Sequence, residues 1–246
     1  MLKRAPSLTD QVKSHIKDLI IQGQFPDGRI PAEMELAELL GVSRTTVRDA
    51  LSRLEMEGTV SRRQGAGTFV NGPVLQIHSR LEEIWSYEAV LRAHGLTPST
   101  RVLEARILTA GDAELADTIV ADLGLEPGEQ ILFTSKLFLE NDLPVILAHN
   151  YLPMRVIPEP YQPEDQALPI YDFIETFGRQ RLAYYLSDFI PVSADAAVAE
   201  TLQIPIGTAL LAFDETGHND DNEPILRAFS FFRDDLLRFR ILRRRA

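Results

Sequence analysis

Cysteine is absent from this 246-residue sequence, which excludes disulfides, thiolate metal sites and cysteine nucleophiles and fits a reducing compartment without requiring one. No apolar run approaches the roughly 18 residues that a membrane span needs. The opening MLKRAPSLTD carries positive charge but no hydrophobic stretch follows it, so it does not read as a signal peptide. The expectation is a soluble, cytoplasmic protein with no membrane partner. Catalytic signatures are missing too: there is no G-x-S-x-G, no H-E-x-x-H, no phosphate-cradling G-x-x-x-x-G-K and no G-x-G-x-x-G after a strand. The five histidines are scattered, and His218 beside Asp220 and Asp221 falls in a turn-like HNDDNE stretch where Asn and Asp serve turn geometry. No catalytic residue, metal or cofactor is expected.

Positive charge is also in deficit. The net charge of −11 argues against a nucleic-acid partner, because affinity for phosphate comes largely from Lys and Arg. The average conceals a split: residues 1–72 hold 10 Lys+Arg against 9 Asp+Glu, and the remainder 15 against 27. Two domains with different partners follow, the second too acidic to lie against DNA without repulsion. With 45% hydrophobic residues, both have material for a core.

The first domain reads as short helices followed by a hairpin. Leu8, Val12, Ile16, Leu19 and Ile20 recur at helical spacing, QGQFPDGRIP reads as a loop, and Leu36, Ala37, Leu39 and Leu40 make the inner stripe of a second helix stopped by Gly41. Ser43 caps a third helix, on which Val47, Leu51 and Leu54 share one face while Arg44 and Arg48, with Thr45 beside them, lie on another. Such a face fits the DNA major groove, where Arg donates two hydrogen bonds to guanine and a Thr methyl meets a thymine methyl. Thr59–Arg63 and Thr68–Val70 read as hairpin strands around the tip Gln64, Gly65, Ala66 and Gly67. Glycines there allow close approach to a phosphate or the minor groove, flanked by Arg62 and Arg63.

The run PAEMELAELLGVSRTTVRDALSRLEMEG with its continuation RRQGAGTFV resembles the winged helix-turn-helix domain of GntR-family bacterial transcription regulators over roughly residues 8–71. That resemblance implies contacts to double-stranded operator DNA from Arg44, Thr46, Arg48 and Gly67. One departure is Met34, where family members commonly carry a DNA-contacting Arg.

Asn71-Gly72-Pro73 breaks the periodicity, giving a domain at 1–72, a linker at 73–79 and a second domain at 80–246. In the latter, Leu81, Ile84, Trp85 and Leu91 read as a helix, Thr100–Leu108 as a strand and Asp112–Leu123 as a helix. Ile131–Leu139 and Pro144–Leu152 read as strands around the turn Glu140-Asn141-Asp142. Ile170–Gly178 is helical, Leu182–Pro191 a strand, and Ser193 is read as the cap of a helix through Ala196 and Leu202. Thr208–Gly217 and Pro224–Phe232 form a last hairpin, and Arg238–Leu242 closes the sheet before a basic tail. Hairpin connections with interspersed helices define an α+β domain around an antiparallel sheet.

The strand, the E-N-D-L-P turn, N-Y-L-P and the final strand pair resemble the UTRA effector-binding domain of the HutC branch, whose fold is shared with chorismate lyase. Relatives often carry two arginines for a phosphate or carboxylate on the strand matching Ser135–Leu139. Lys136 and Phe138 stand at those positions, which favours a small acid, an amine or a partly apolar metabolite over a sugar phosphate. His149, Tyr151, Tyr184, Arg227 and Ser230 complete the candidate effector residues. The implied protein is a ligand-responsive regulator acting as a homodimer, a repressor by family default. The alternatives are a second domain that only dimerises and a chorismate-lyase-like enzyme.

Overall fold

The computed structural model describes residues 7–72, 86–239 and 243. The linker at 73–79, the start of the helix carrying Leu81, Ile84 and Trp85, and nearly all of the basic tail lie outside them. Of the closing strand expected at 238–242, Arg238 and Phe239 are described and are not in a strand. The described residues make up two compact units, one within 7–72 and one within 86–239.

The first unit packs three helices on a small sheet. Helix α1 (Leu8–Ile21) is capped by Ser7, whose hydroxyl accepts from the N–H of Asp10, and buries Val12, Ile16 and Ile20. Helices α2 (Glu33–Leu40) and α3 (Arg44–Met56) flank a turn in which Gly41 takes a left-handed φ of 65°, terminating α2. The core joins Ile16 and Leu36 to Val47, Leu51, Leu54 and Val60, each large aliphatic contributing about 1.5–3 kcal/mol by leaving water. Leu39, read as part of the inner stripe, is instead 71% exposed. The buried arc of α2 runs through Leu36, Ala37 and Leu40, and at about 100° per residue Leu39 falls well to one side of it.

Strands β2 (Val60–Arg63) and β3 (Gly67–Val70) form the hairpin. The stretch read wholly as loop also contains a short strand, β1 (Arg29–Ile30), which pairs with β3 and gives the order β1-β3-β2. Ile30 enters the core, so Arg29 points outward.

The second unit is a six-stranded antiparallel sheet between two layers of helices. In chain order come α4 (Tyr87–Ala93), β4 (Pro98–Thr109), α5 (Asp117–Asp122), β5 (Gln130–Glu140), β6 (Leu143–Pro153), α6 (Ile170–Gly178), β7 (Tyr184–Ser193), α7 (Ala196–Leu202), β8 (Ala209–His218) and β9 (Pro224–Phe232). The strand order is β4-β5-β6-β9-β8-β7. Asn141 and Asp142, both at positive φ, close the β5–β6 hairpin with a two-residue turn. Two local readings are corrected. Asp195, not Ser193, caps α7 by accepting from the N–H of Val198 at 2.8 Å. The helix expected from Asp112 begins only at Asp117, because Asp112 instead accepts from the N–H of Thr109 and holds a turn.

Alternation along the strands assigns the two faces. One packs Leu132, Leu152 and Ala228 against Phe173 and Ile174 of α6, and Phe138, Ile146, Phe213 and Phe232 against Val90 and Leu91 of α4. The other packs Phe133 and Ile131 against Ile119 and Leu123 of α5, and Leu137, Leu147 and Leu210 against Val198 and Leu202 of α7.

Candidate nucleic-acid interface and ligand cavity

Helix α3 presents its first turn to solvent. Ser43 Oγ accepts from the N–H of Thr46 at 3.1 Å and lies 2.8 Å from Thr46 Oγ1, so the Thr46 hydroxyl belongs to the cap. Arg44, Thr45 and Arg48 are exposed opposite the buried Val47, Ala50, Leu51 and Leu54. Arg44 Nε donates to Glu33 Oε2 at 3.1 Å, a solvent-exposed pair that a competing phosphate or base can displace.

An open groove runs between the start of α2, Arg44 and the wing, lined by Arg29, Met34, Arg62, Arg63, Gln64, Gly65 and Gly67 among others. Gly65 and Gly67 have φ of 74° and 114°, a backbone path that side-chain-bearing residues resist. A Cβ on Gly67 would also come within 3.5 Å of Arg29 Nε. Arg63 lies over the Phe69 ring at 4.6 Å. Arg62 turns back to α3: its Nη2 donates to the Arg48 carbonyl at 3.0 Å and it sits between Glu33 and Glu55, so it braces the wing rather than standing free for phosphate. Arg29 is the groove cation that reading by sequence missed. Its signal was the polar-then-buried pair Arg29-Ile30, too short for periodicity to register.

The second unit contains a cavity of about 590 Å³ on the α4–α6 face of the sheet. It arises where the two apolar patches of that face part. The floor there is Lys136 opposite Ala148, and Ala228 flanked by Asn150 and Glu215; alanines are too short to reach the helices. Phe138, Tyr185, Phe189 and Phe213 form walls, with Tyr87 and Glu88 from α4 and Tyr171 from α6.

The polar groups of this cavity are held in place. Lys136 is 3% exposed and its Nζ donates to the Leu168 carbonyl at 2.7 Å. Burial pulls its ammonium pKa down from 10.5 to about 8, against a smaller upward pull from Glu88. Ser187 Oγ donates to Glu215 Oε1 at 2.5 Å, and burial raises the Glu215 pKa, outweighing that hydrogen bond. Tyr87 donates to Ser230 Oγ at 2.6 Å, and burial keeps both the Tyr87 and Tyr185 hydroxyls protonated well beyond the usual phenol range.

Of the residues expected to gather around a ligand, Lys136, Phe138 and Tyr184 line this cavity, and Ser230 stands behind Tyr87. Tyr184 also donates to Asn222 Oδ1 at 3.1 Å and stacks on His218, which ties that histidine to the turn. The grouping of His149, Tyr151 and Arg227 with them is corrected, because all three lie on the opposite face. His149 packs edge-on between Phe133 and Phe231, and burial lowers its pKa. Tyr151 packs against Phe133. Arg227 is paired with Asp122 at 2.8 Å and with Asp214, over the Phe229 ring. Cavity residues not foreseen include Tyr87, Glu88, Asn150, Tyr185, Ser187 and Glu215.

A helix-turn-helix with a glycine-tipped wing, joined in one chain to an α+β unit with a metabolite-sized cavity, defines a ligand-responsive DNA-binding transcription regulator. Comparison with known proteins agrees. Residues 8–70 match the model for bacterial regulatory proteins of the gntR family, and residues 93–238 match the UTRA domain. The HTH-type transcriptional repressor NagR of Bacillus subtilis is 28% identical over 232 residues, spanning 94% of this chain and 91% of that one. The HTH-type transcriptional regulator Rv0792c of Mycobacterium tuberculosis is 32% identical over 219 residues, spanning 87% and 78%. The crystal structure of the possible transcriptional regulator YydK from Bacillus subtilis shares the fold with a TM-score of 0.74 at 16% identity, over 96% of this chain and 99% of that one. The chain belongs to the gntR family, in its UTRA-carrying HutC branch. Its relatives are transcription regulators. No helix among the described residues is long and apolar enough to cross a membrane.

Proposed function

We propose that the protein is a repressor that binds a two-fold symmetric operator as a homodimer and loses affinity for it when a small metabolite fills the cavity of the second domain. The domain division behind this reading is 1–72, a linker at 73–79 and 80–246. Arg44, Thr45 and Arg48 read base edges in the major groove; Arg29, Arg63 and the tip Gln64-Gly65 with Gly67 hold the backbone or minor groove; Arg62 and Thr46 brace these elements. Two such units address half-sites about 34–36 Å apart on one side of the duplex. The name of the NagR relative, a repressor, supports the direction of control.

The observation that carries the proposal is the cavity of about 590 Å³, within the range of small-molecule sites, in a chain that also bears the arginine-lined groove. A ligand regulates only through different affinities for two states, and about 1–3 kcal/mol of difference changes operator affinity roughly 5- to 150-fold. The test is a mobility-shift titration of the full chain on the DNA upstream of its own gene, with and without a panel of metabolites. A shift of about fivefold or more with at least one compound is expected. Affinity that no compound alters would leave the second domain as a dimerisation unit.

A further inference from the structure

Taking the cavity as the effector site, we propose that its ligand is an organic cation, a protonated amine or quaternary ammonium carried on an aromatic or branched aliphatic body. The first reason is charge. Among the described residues, Glu88 and Glu215 line the cavity together with one ammonium, Lys136, and no guanidinium. That ammonium already donates to the Leu168 carbonyl. Arg227, which acts on Glu215 from the other face of the sheet, is taken up by Asp122 and Asp214. One negative charge in the cavity is therefore unbalanced, and an anionic ligand would add a second.

The second reason is an orphaned acceptor. Glu88 Oε1 accepts from Thr100 Oγ1 at 2.8 Å, but Glu88 Oε2 is shut off from solvent with no hydrogen-bond partner. A buried carboxylate oxygen without a donor is costly, and a positive charge in the adjoining cavity offsets part of that cost. The third reason is the walls. Tyr87, Phe138, Tyr185, Phe189 and Phe213 line the same cavity as the carboxylates, and a ring face turned to a desolvated cation attracts it by about 0.5–2 kcal/mol. Tyr87 and Tyr185 keep their protons, so they add ring faces and dipoles but no charge.

The test is isothermal titration of the full chain with probes of similar shape and different charge: 2-phenylethylammonium and benzyltrimethylammonium, neutral 2-phenylethanol, and 3-phenylpropionate. At least one cation should bind about tenfold or more tightly than the alcohol and the carboxylate. Glu215→Gln or Glu88→Gln should weaken that cation about tenfold while leaving the alcohol unchanged. Both substitutions are close in shape, and circular dichroism verifies their folding. Carboxylate binding as tight as that of the cations, no cation binding at millimolar concentration, or cation binding unchanged in both variants would each overturn the proposal. Ala148→Trp and Ala228→Leu fill the floor and separate the two readings. A probe lost from both variants but preferring negative charge refutes only the ligand class, whereas a probe that binds both as it binds the original chain lies elsewhere and refutes the cavity as effector site.

Discussion

The Arg62 guanidinium donates to the backbone carbonyl of Arg48 at 3.0 Å, and the Arg62 N–H donates to Glu55 Oε1 at the same distance. The wing is thereby fastened to the helix that carries the base-reading face. Arg62→Ala is expected to lower unfolding stability by about 1 kcal/mol and to weaken operator binding together with it. Arg63→Ala, one residue further toward the tip, is expected to leave stability nearly unchanged while reducing the slope of log affinity against log salt by about 1. Urea unfolding and filter binding at several salt concentrations measure both; a salt slope unchanged in Arg63→Ala removes that residue from the phosphate contacts.

Met34 stands in the first turn of α2, 60% exposed and lining the groove, and Ala32 at the helix start supplies no side-chain cap. Met34→Arg adds a cation to the first turn of α2, where Glu33 and Glu35 otherwise repel phosphate. Operator affinity should rise, with a salt slope steeper by about 1. Equal affinity in both proteins would mean that this turn does not face DNA.

Lys136 is buried and held near a pKa of about 8, whereas in the unfolded chain it keeps its proton to about 10.4. Between those values the unfolded chain binds more protons, so the stability contributed by this position rises with pH; below about 8 the full cost of burying the ammonium is present. Lys136→Met should be more stable at pH 7 by up to about 3 kcal/mol. That advantage should shrink as pH is raised from 8 to 10, and denaturant midpoints of the two proteins across that window measure it. A gap independent of pH would show that the folded protein holds the Lys136 proton as firmly as the unfolded chain does, so that burial does not lower its pKa.

The Arg227 side chain is 8% exposed and joined to Asp122 and Asp214. Removing it takes away the shared cation of Asp122 and Asp214, both open to solvent in part, so Arg227→Ala should cost about 1–3 kcal/mol of stability. Ligand affinity in the protein that remains folded should be unchanged, because Arg227 lies across the sheet from the cavity. A selective loss of ligand affinity with normal stability would reverse that assignment.

The first unit was largely legible because its determinants act over a few residues. The Ser43 cap, the Gly41 stop and the 3.6-residue spacing of Val47, Leu51 and Leu54 are all local, and α3 forms where they place it. Arg29 was not legible, since the two-residue strand bearing it exists only by pairing with β3, some 40 residues further along. In the second unit the β5–β6 hairpin is local in the same way. The facing of its strands is not.

By itself the sequence determined the winged helix-turn-helix, the arginine-bearing face of α3 and the β5–β6 hairpin. Only the tertiary structure decided which side of the sheet each residue joins. Ala148 and Asn150 face the cavity while His149 and Tyr151 face the α5 and α7 layer. A shift of one residue in register would exchange them, and register is set by pairing with β5 and β9 and by the helices packed over each face. The cavity has the same origin: it is the gap left where two alanine positions from distant strands meet beneath α4 and α6, which no single segment encodes.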